Sequence, residues 1–347
     1  MLAVFNANRG ARNARAALYS LILLVVLAAI YGRKTPLSQD LALGSAQQCA
    51  AYSGLPIDWQ KNAHAGMAYV PAGQFTLGTT LGYAEERAEI SIQAQPFWID
   101  QTEVTVAQFA AFVAASSYVT EAEREGGGVV FVPPSAAELQ QRDYAWWRYI
   151  KGANWQHPAG VDSHAAANQP VTLITLTDAL AYARWLGRDL PTEIEWEYAA
   201  KAGRSGAELE KEPRTADGKP AANFWQGKFP LQNSLEDGYQ GLAPVGCFAA
   251  NAFDLFDMLG NAWEQTKDVY TANHQLPAQI TSVSNSPTQP QNLAMVVKGG
   301  SHLCGRDFCV RYRASAREAH EANLPISHIG FRTVLRDQQQ LPEISAW

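Results

Sequence analysis

The segment from about residue 204 to 345 constrains the fold most strongly, because it contains no convincing helical pattern. Its apolar residues come in short pieces that are interrupted by Gly, Pro, Asn and Asp. These residues favour turns and loops over long regular elements. We therefore expect this part of the chain to be loop-rich and to be stabilised by packed aromatic side chains.

Regular elements are predicted before this segment. Residues 67–78 have the pattern of two short strands joined by a Pro/Gly turn. Capping residues and helical spacing predict three helices, which run from Thr105 to about Ala115, from Leu176 to Leu186, and from Thr192 to about Gly203. No repeat and no break in composition divides residues 66–347. We therefore expect one domain there.

Length and composition narrow the class of protein. The chain has 347 residues, of which 47% are apolar and 17% charged, and its formal net charge is −6. This is enough apolar material for a sizeable core, which excludes disorder for most of the chain. No run of Lys or Arg lies beyond the N-terminus, which argues against nucleic-acid binding. Four cysteines are too few for a disulfide scaffold.

The N-terminus combines basic residues with an apolar run. Three arginines precede an uncharged stretch over residues 16–31, and Arg33 and Lys34 follow it. We interpret residues 1–34 as a cleaved export signal or a short inner-membrane anchor, and residues 35–65 as a linker. The basic end is expected to stay in the cytoplasm, so the domain would be in the periplasm, exported or anchored to the membrane through its N-terminal segment.

Cys304 and Cys309 are the residues with the most evident chemistry. Nucleotide-binding glycine motifs, the serine-hydrolase motif and the His-Glu-x-x-His motif are all absent. Two cysteines at this spacing can form a disulfide or bind a soft metal such as Cu(I), and spacing alone favours the disulfide. Arg306, Arg311 and Arg313 would lower the pKa of the thiols if they lay close to them.

A second candidate site is the run from Asp254 to Glu264, with Asn223 and residues 236–238 upstream. Alternating carboxylates, Gly turns and free backbone carbonyls are what Ca²⁺ requires. The spacing of an EF-hand is absent, so from chemistry alone solvated turns are the simpler interpretation.

Eight short blocks of sequence between about residues 66 and 335 are characteristic when they are taken together in their order along the chain. They are Phe97-Trp-Ile-Asp-Gln-Thr-Glu-Val-Thr105, Lys151-Gly-Ala-Asn-Trp-Gln-His-Pro158, Leu190-Pro-Thr-Glu-Ile-Glu-Trp-Glu-Tyr198, Ala222-Asn-Phe-Trp-Gln-Gly227, Gly260-Asn-Ala-Trp-Glu264, Gly299-Gly-Ser301, Arg311-Tyr-Arg313 and Gly330-Phe-Arg332. In order and spacing they resemble the formylglycine-generating enzymes, or sulfatase-modifying factors. Other proteins share this domain, but the cysteine pair resembles that branch in particular.

The resemblance implies a fold and a chemistry. The fold would be a single compact α+β domain with little regular secondary structure, related to the C-type lectin-like fold. The protein would be an oxidase in which Cys304 and Cys309 bind Cu(I). With dioxygen, it would convert the cysteine of a Cys-x-Pro-x-Arg segment in an unfolded sulfatase to Cα-formylglycine. Ser301 would orient oxygen or substrate, and Trp263 would form a dry wall near the copper.

The resemblance also implies two calcium sites. Family positions that hold one Ca²⁺ match Asn223, the Phe224 backbone, Asp237 and the Tyr239 backbone. Those that hold a second match Asp257, the Gly260 and Ala262 backbones, and Glu264. The intervals between these positions fit the family without gaps.

The chain also departs from the family. Gly305 and Phe308 replace a His and a Tyr that are common in animal members, so a hydroxyl beside the copper site is absent. His328 replaces a frequent Asn and could titrate near neutral pH, and Gln265 replaces an aromatic residue. Cys49 and Cys247 have no counterpart that assigns them a role. A disulfide between them is compatible with the sequence but is not predicted by it.

Three functions are compatible with these features. The first is the formylglycine-generating oxidase. The second is an exported oxidase of the same fold that acts on a small molecule such as a siderophore precursor. The third is a non-catalytic binding module in which Cys304 and Cys309 form a structural disulfide.

Overall fold

A computed structural model describes residues 43–87, 89–272, 274 and 293–336. The apolar run predicted to be a signal or anchor, over residues 16–31, lies outside the described residues. Within the described ranges, no helix has the length and apolarity needed to cross a membrane.

The regular elements are short, as the loop-rich sequence predicts. The helices are α1 (Ala46–Ala51), α2 (Val106–Ser116), α3 (Glu121–Glu125), α4 (Ala136–Gln141), α5 (Leu176–Trp185) and α6 (Glu193–Lys201). The strands are β1 (Met67–Val70), β2 (Gly73–Leu77), β3 (Ile90–Ala94), β4 (Phe97–Asp100), β5 (Gly127–Phe131), β6 (Trp147–Lys151), β7 (Gly227–Lys228), β8 (Gln232–Asn233), β9 (Trp263–Val269), β10 (Ala294–Lys298), β11 (Arg317–Glu321), β12 (Ile329–Gly330) and β13 (Val334–Leu335).

Within the described ranges, the strands form two small sheets and three hairpins. One sheet has the order β1-β4-β13, with β4 antiparallel to both neighbours. The other has the order β11-β10-β9-β12, in which β12 runs parallel to β9. The hairpins are β2-β3, β5-β6 and β7-β8. This mixture of small sheets and helices confirms the predicted α+β class.

The three predicted helices are confirmed as α2, α5 and α6. Each begins with a capping box, in which a threonine side chain accepts from the third backbone N–H of the helix and that third residue's side chain accepts from the threonine N–H. The strand prediction over residues 67–78 is confirmed by β1 and β2. These elements could be predicted because their signals lie within a few consecutive residues.

The sheet around β9 was not predicted. The described residues after 204 contain no α-helix, as expected, but they contain three strands of four residues or more, β9 to β11. Strand β9 carries polar residues in its interior, including Glu264, Gln265 and Thr266, and all three are buried. The polar groups find partners inside the protein. The Thr266 hydroxyl, for example, donates to the Val296 carbonyl at 2.8 Å. A strand that is buried on both faces with polar side chains has no alternating pattern to detect.

Residues 43–65 are more ordered than the term linker suggests. They include helix α1, whose Cys49 is 0% exposed and is disulfide-bonded to Cys247. The carbonyl of Ala63 accepts a hydrogen bond from Arg188 at 2.8 Å. This segment therefore packs against the folded domain.

A buried ion-pair network lies where α6 meets the sheet of β9 and β10. The Glu197 carboxylate contacts the Lys201 ammonium at 2.7 Å and the Lys298 ammonium at 2.8 Å. It also accepts from the Gly78 N–H at 2.7 Å. Burial alone would raise the pKa of Glu197, but Lys298 and Lys201 lower it to about 2. Glu197 is therefore ionised over the whole physiological range.

Replacing Glu197 with Gln should be strongly destabilising, because two buried ammonium groups lose their carboxylate. We expect the free energy of unfolding at pH 7 to fall by about 3–5 kcal/mol. The pKa of Glu197 is about 2 when folded, against 4.5 for an ordinary Glu. The wild-type advantage should therefore persist above an ordinary Glu pKa and shrink as the pH falls towards the folded value. Urea unfolding of both proteins across this pH range measures the difference.

A matched control is Glu208→Gln, which breaks the exposed pair of Glu208 and Lys211, with side chains 79% and 63% exposed. This change should cost less than about 1 kcal/mol. If Glu197→Gln cost no more than the control, the ion-pair account of this core would be wrong.

Candidate functional site

Cys304 and Cys309 lie together in an apolar cluster that includes Trp263. Both are free thiols, with exposed fractions of 1% and 9%. Tight turns place them: the Cys304 N–H donates to the Ser301 carbonyl at 2.9 Å, and the Cys309 N–H to the Gly305 carbonyl at 3.1 Å. The disulfide that spacing alone favoured is therefore not present in this structure.

The environment of Cys304 favours its protonated form. Burial raises the pKa of the Cys304 thiol well above its usual range, and Cys309 raises it further through a hydrogen bond and its charge. The nearby arginines are engaged by glutamates. The ion pairs are Arg306 with Glu212, Arg311 with Glu85 and Glu318, and Arg313 with Glu86 and Glu210. The expectation that these arginines lower the thiol pKa is wrong for Cys304.

Ser301 and Trp263 lie close to the thiol pair. Ser301 is 0% exposed, and its hydroxyl oxygen accepts from the Leu303 N–H at 3.3 Å. Trp263 opens β9 and packs in the same cluster as the two cysteines. The structure therefore brings the four predicted catalytic residues together, and the roles of Ser301 and Trp263 stay predictions.

A group of four rings adjoins the thiols, and we call it the aromatic face: Tyr144 and Phe308 are exposed, whereas Trp146 and Phe229 are each only 8% exposed. Phe308 directly precedes Cys309 and is 45% exposed. Its ring stacks on Phe229 at 4.4 Å between centroids and meets Trp146 edge-on at 5.2 Å. Sequence reasoning missed the other three residues, because distant loops bring them to Phe308. The richness of the chain in aromatic residues was the available signal.

His328 is not the titrating group that the sequence suggested. Its ring lies 4.6 Å from the Trp147 ring, and its Nδ1 is buried without a hydrogen-bond partner. Burial lowers the pKa of His328 well below its usual range, and His302 and His320 lower it further. His328 is therefore neutral at pH 7, and the expectation of titration near neutral pH is wrong.

The residues of the first predicted calcium site are adjacent. Asp237 accepts from the backbone N–H of Tyr239 at 2.9 Å and of Phe224 at 3.1 Å. The side-chain amide of Gln226 donates to both the Phe224 carbonyl and the Asp237 carboxylate. Asn223 lies in the same chain segment and is 2% exposed. The Gln226 amide thus bridges the Phe224 carbonyl oxygen and an Asp237 carboxylate oxygen, and both residues are predicted calcium ligands.

The second predicted site contains a carboxylate that sequence reasoning missed. Glu103 is 0% exposed; one of its oxygens accepts from the Asn261 amide at 3.0 Å, and the other is buried without a partner. Burial raises the pKa of Glu103 well above its usual range, and the charges of Asp257 and Glu264 raise it further. Glu103 therefore lies close to two predicted calcium ligands, on a chain segment that no sequence spacing connects to them.

The charge balance of this second site suits a divalent cation. Glu103, Asp257 and Glu264 are buried near one another, and Arg332 is the cation that contacts Glu264. Burial raises the pKa of Asp257 to about 6, and Glu264 also raises it. Gly260 and Ala262 flank Asn261, so their carbonyls belong to the same loop. In their ionised forms, three buried carboxylates against one guanidinium would carry an excess of negative charge. Without a cation this repulsion and burial favour protonation of Glu103 and Asp257, and a Ca²⁺ ion would offset the charge instead.

One further cluster within the described residues has the geometry of a metal site, namely Glu193, Glu197 and His274. Its carboxylates are already neutralised. Arg317 contacts Glu193 through two nitrogens at 2.8 and 3.0 Å, and two lysines contact Glu197. Because three buried cations face two carboxylates, we assign no metal to this cluster.

The fold and the site define a loop-rich α+β domain with a buried pair of free thiols. Residues 53–337 match the family model of the sulfatase-modifying factor enzyme 1-like domain. The chain therefore belongs to the sulfatase-modifying factor family.

Similar proteins agree with this assignment. The chain is 39% identical to the formylglycine-generating enzyme of Mycobacterium tuberculosis, over 76% of this chain and 96% of that one. It is 37% identical to the formylglycine-generating enzyme of Mus musculus, over 77% of this chain and 74% of that one. The structure of PvdO from Pseudomonas aeruginosa matches with a TM-score of 0.53 and 22% identity, over 77% of this chain and 93% of that one, which shows the shared fold.

The buried Cys304 thiol should react slowly with alkylating reagents. Because its pKa is raised and the thiolate is the nucleophile, we expect iodoacetamide at pH 8 to modify Cys304 in the metal-free protein at least about tenfold more slowly than after denaturation. Mass spectrometry of tryptic peptides over time measures both rates. Modification of Cys304 in the native protein at pH 8 as fast as after denaturation would contradict the protonated, buried thiol.

Proposed function

We propose that this protein is a copper-dependent oxidase that converts a cysteine in a Cys-x-Pro-x-Arg segment of sulfatases to Cα-formylglycine with dioxygen. The observation that supports it most directly is the pair of free, buried thiols of Cys304 and Cys309 in a domain of this family. A binding module would not require two unpaired thiols in its interior.

The donor set fits Cu(I). Cys304 and Cys309 offer two soft sulfur ligands, and among the described residues no third His, Cys, Asp or Glu joins them in a metal-binding group. A two-thiolate site suits Cu(I), which accepts low coordination and leaves room for the sulfur of a substrate cysteine. When bound, the metal would supply activation of oxygen at a position shielded from bulk water.

The residues of this chain would position substrate and exclude water. Trp263 and the apolar cluster around Cys304 keep the site dry, which favours oxidation over side reactions. The buried hydroxyl of Ser301 lies one turn before Cys304 and would orient oxygen or substrate. The aromatic face offers apolar surface beside Cys309 on which an extended, unfolded sulfatase segment could pack.

We further propose that the domain acts in the periplasm, exported or anchored in the inner membrane through the N-terminal segment. The basic and apolar pattern of residues 1–34 supports export. The Cys49–Cys247 disulfide supports an oxidising compartment, because such bonds are rare in reducing ones. A sulfatase substrate would have to be exported and still unfolded when the two proteins meet.

The decisive experiment is a peptide assay. Copper-loaded protein and oxygen should convert the cysteine of a Cys-x-Pro-x-Arg peptide to an aldehyde. Mass spectrometry detects this conversion as a change in the mass of the peptide. The Cys304→Ser and Cys309→Ser variants should bind no Cu(I) and give no product, and a peptide with Ser in place of the reacting Cys should stay unchanged. Copper binding without peptide oxidation would favour a small-molecule substrate, and failure to bind Cu(I) would rule out both oxidase hypotheses.

We propose two Ca²⁺ ions as structural cofactors. The first would be held by Asn223, Phe224, Asp237 and Tyr239, and the second by Asp257, Gly260, Ala262 and Glu264. The excess negative charge at the second site supports the proposal, and it adds Glu103 to that group. Both ions would stabilise loops that have few regular elements of their own.

Calcium should therefore raise the stability of the protein. At a Ca²⁺ concentration one hundred times the Kd, we expect about 2.7 kcal/mol per site. Thermal unfolding with excess Ca²⁺ and with a chelator measures the change, and Asp257→Asn should lose part of the response. Equal melting temperatures in Ca²⁺ and in chelator would count against both sites.

A further inference from the structure

The proposed function leaves Cys49 and Cys247 without a role, yet they form a buried disulfide. The bond joins positions 198 residues apart, and the two residues are 0% and 6% exposed. It connects helix α1 to the loop over residues 239–247, which we call the bridging loop. This loop begins at a predicted ligand of the first calcium site and ends beside the second site.

Gly246, next to Cys247, connects the bridging loop to the second site. Its N–H donates to the Asp257 carboxylate, and its carbonyl accepts from the Gly44 N–H at 2.7 Å. The contact with Leu43 is so close that a Cβ on Gly246 would lie 2.6 Å from the Leu43 side chain. Gly246 is therefore held between Asp257 on one side and residues 43–44 on the other.

The bridging loop is also held at its start and along its length. The Tyr239 hydroxyl lies 3.8 Å from the sulfur of Cys49, while the Tyr239 N–H donates to Asp237 at 2.9 Å. Asn168 forms hydrogen bonds both with helix α1 and with the bridging loop. Its side chain donates to the Cys49 carbonyl at 2.9 Å, and its backbone carbonyl accepts from the Val245 N–H at 2.8 Å. The disulfide is thus the covalent link in a set of weak contacts.

We propose that the Cys49–Cys247 disulfide increases the affinity of the Asp257 site for Ca²⁺ by keeping Gly246 against the Asp257 carboxylate. With the bond intact, the N–H of Gly246 orients the carboxylate before the ion arrives, so less ordering accompanies binding. With the bond reduced, only noncovalent contacts hold residues 43–44 and the bridging loop together. The inference rests on the calcium part of the proposed function.

Reduction of the bond is a simple exchange. A dithiol reductant supplies two electrons and two protons, the S–S bond breaks, and the products are the Cys49 and Cys247 thiols and the oxidised, cyclic form of the reductant. No other cofactor takes part, and Cys304 and Cys309 are not needed.

The direct test is a Ca²⁺ titration by calorimetry of metal-stripped protein that carries Asp237→Asn, so that the second site is measured alone. Adding Cys49→Ser and Cys247→Ser should raise the Kd by at least about tenfold, because the orienting donor is released. The matched control adds Cys304→Ser and Cys309→Ser instead. This variant also replaces two cysteines with serine but keeps the disulfide, and it should leave the Kd unchanged.

A second measurement leaves the disulfide in its native sequence, so it does not depend on the folding of the disulfide variant. If the disulfide tightens Ca²⁺ binding by some factor, Ca²⁺ must shift the reduction equilibrium of the disulfide by the same factor. A tenfold coupling lowers the reduction midpoint by about 30 mV. Titration with a dithiol buffer, with and without Ca²⁺, in the Cys304→Ser, Cys309→Ser protein measures this shift.

The outcomes separate the two proposals. A higher Kd for Ca²⁺ in the disulfide variant, or a reduction midpoint that depends on Ca²⁺, supports the coupling. Equal Kd values together with equal midpoints overturn it while the calcium sites stand. If the protein with intact Asp237 and intact disulfide binds no Ca²⁺, the calcium part of the proposed function fails, and the coupling fails with it.

Discussion

Glu264 and Arg332 form an ion pair in the interior of the domain, and the arrangement around it depends on this contact. Both residues are 0% exposed, and two nitrogens of the guanidinium contact the carboxylate at 2.6 Å each. The same guanidinium donates to the carbonyls of Asp100 and Phe256, both at 3.0 Å. A single cation therefore connects the end of β4, the loop before the second predicted calcium site and strand β9.

This pair also connects the core to the candidate active site. The Trp196 indole of α6 donates to the Glu264 carboxylate at 2.7 Å, so this fully buried side chain of the apolar core is tied to β9. Trp263, next to Glu264, packs against the thiol cluster. Burying an ion pair is costly, and it is tolerated here because hydrogen bonds satisfy both partners. Removing one partner would leave the charge of the other in the interior, beside the buried carboxylates of Glu103 and Asp257.

How far the fold could be predicted depended on the range of the interactions involved. Helices α2, α5 and α6 were predictable because a capping box lies within four consecutive residues. Strand β9 was not, because its buried polar residues are satisfied by partners far along the chain, such as Val296 for Thr266. The order of residues 43–65 was missed for the same reason, since the segment is held by Cys247 and Arg188.

The residues of the candidate site likewise fall into those that the sequence identified and those that only the structure shows. The resemblance identified Cys304, Cys309, Ser301 and Trp263, and the structure brings them together. The resemblance did not identify Glu103 or the aromatic rings around Phe308, because no spacing in the chain relates these residues to the site. The sequence also suggested that arginines lower the thiol pKa, whereas the fold pairs them with glutamates and buries Cys304.

By itself, the sequence determined the family, the α+β class, the capped helices and the identity of the two thiols, because these follow from local patterns and from residue types. Only the tertiary structure decided that Cys304 and Cys309 stay unpaired while Cys49 and Cys247 form a disulfide. It alone decided which carboxylates share one cation. The reason is physical: bond formation and the pKa of a buried group depend on distance and desolvation, and both arise only when distant segments of the chain pack together.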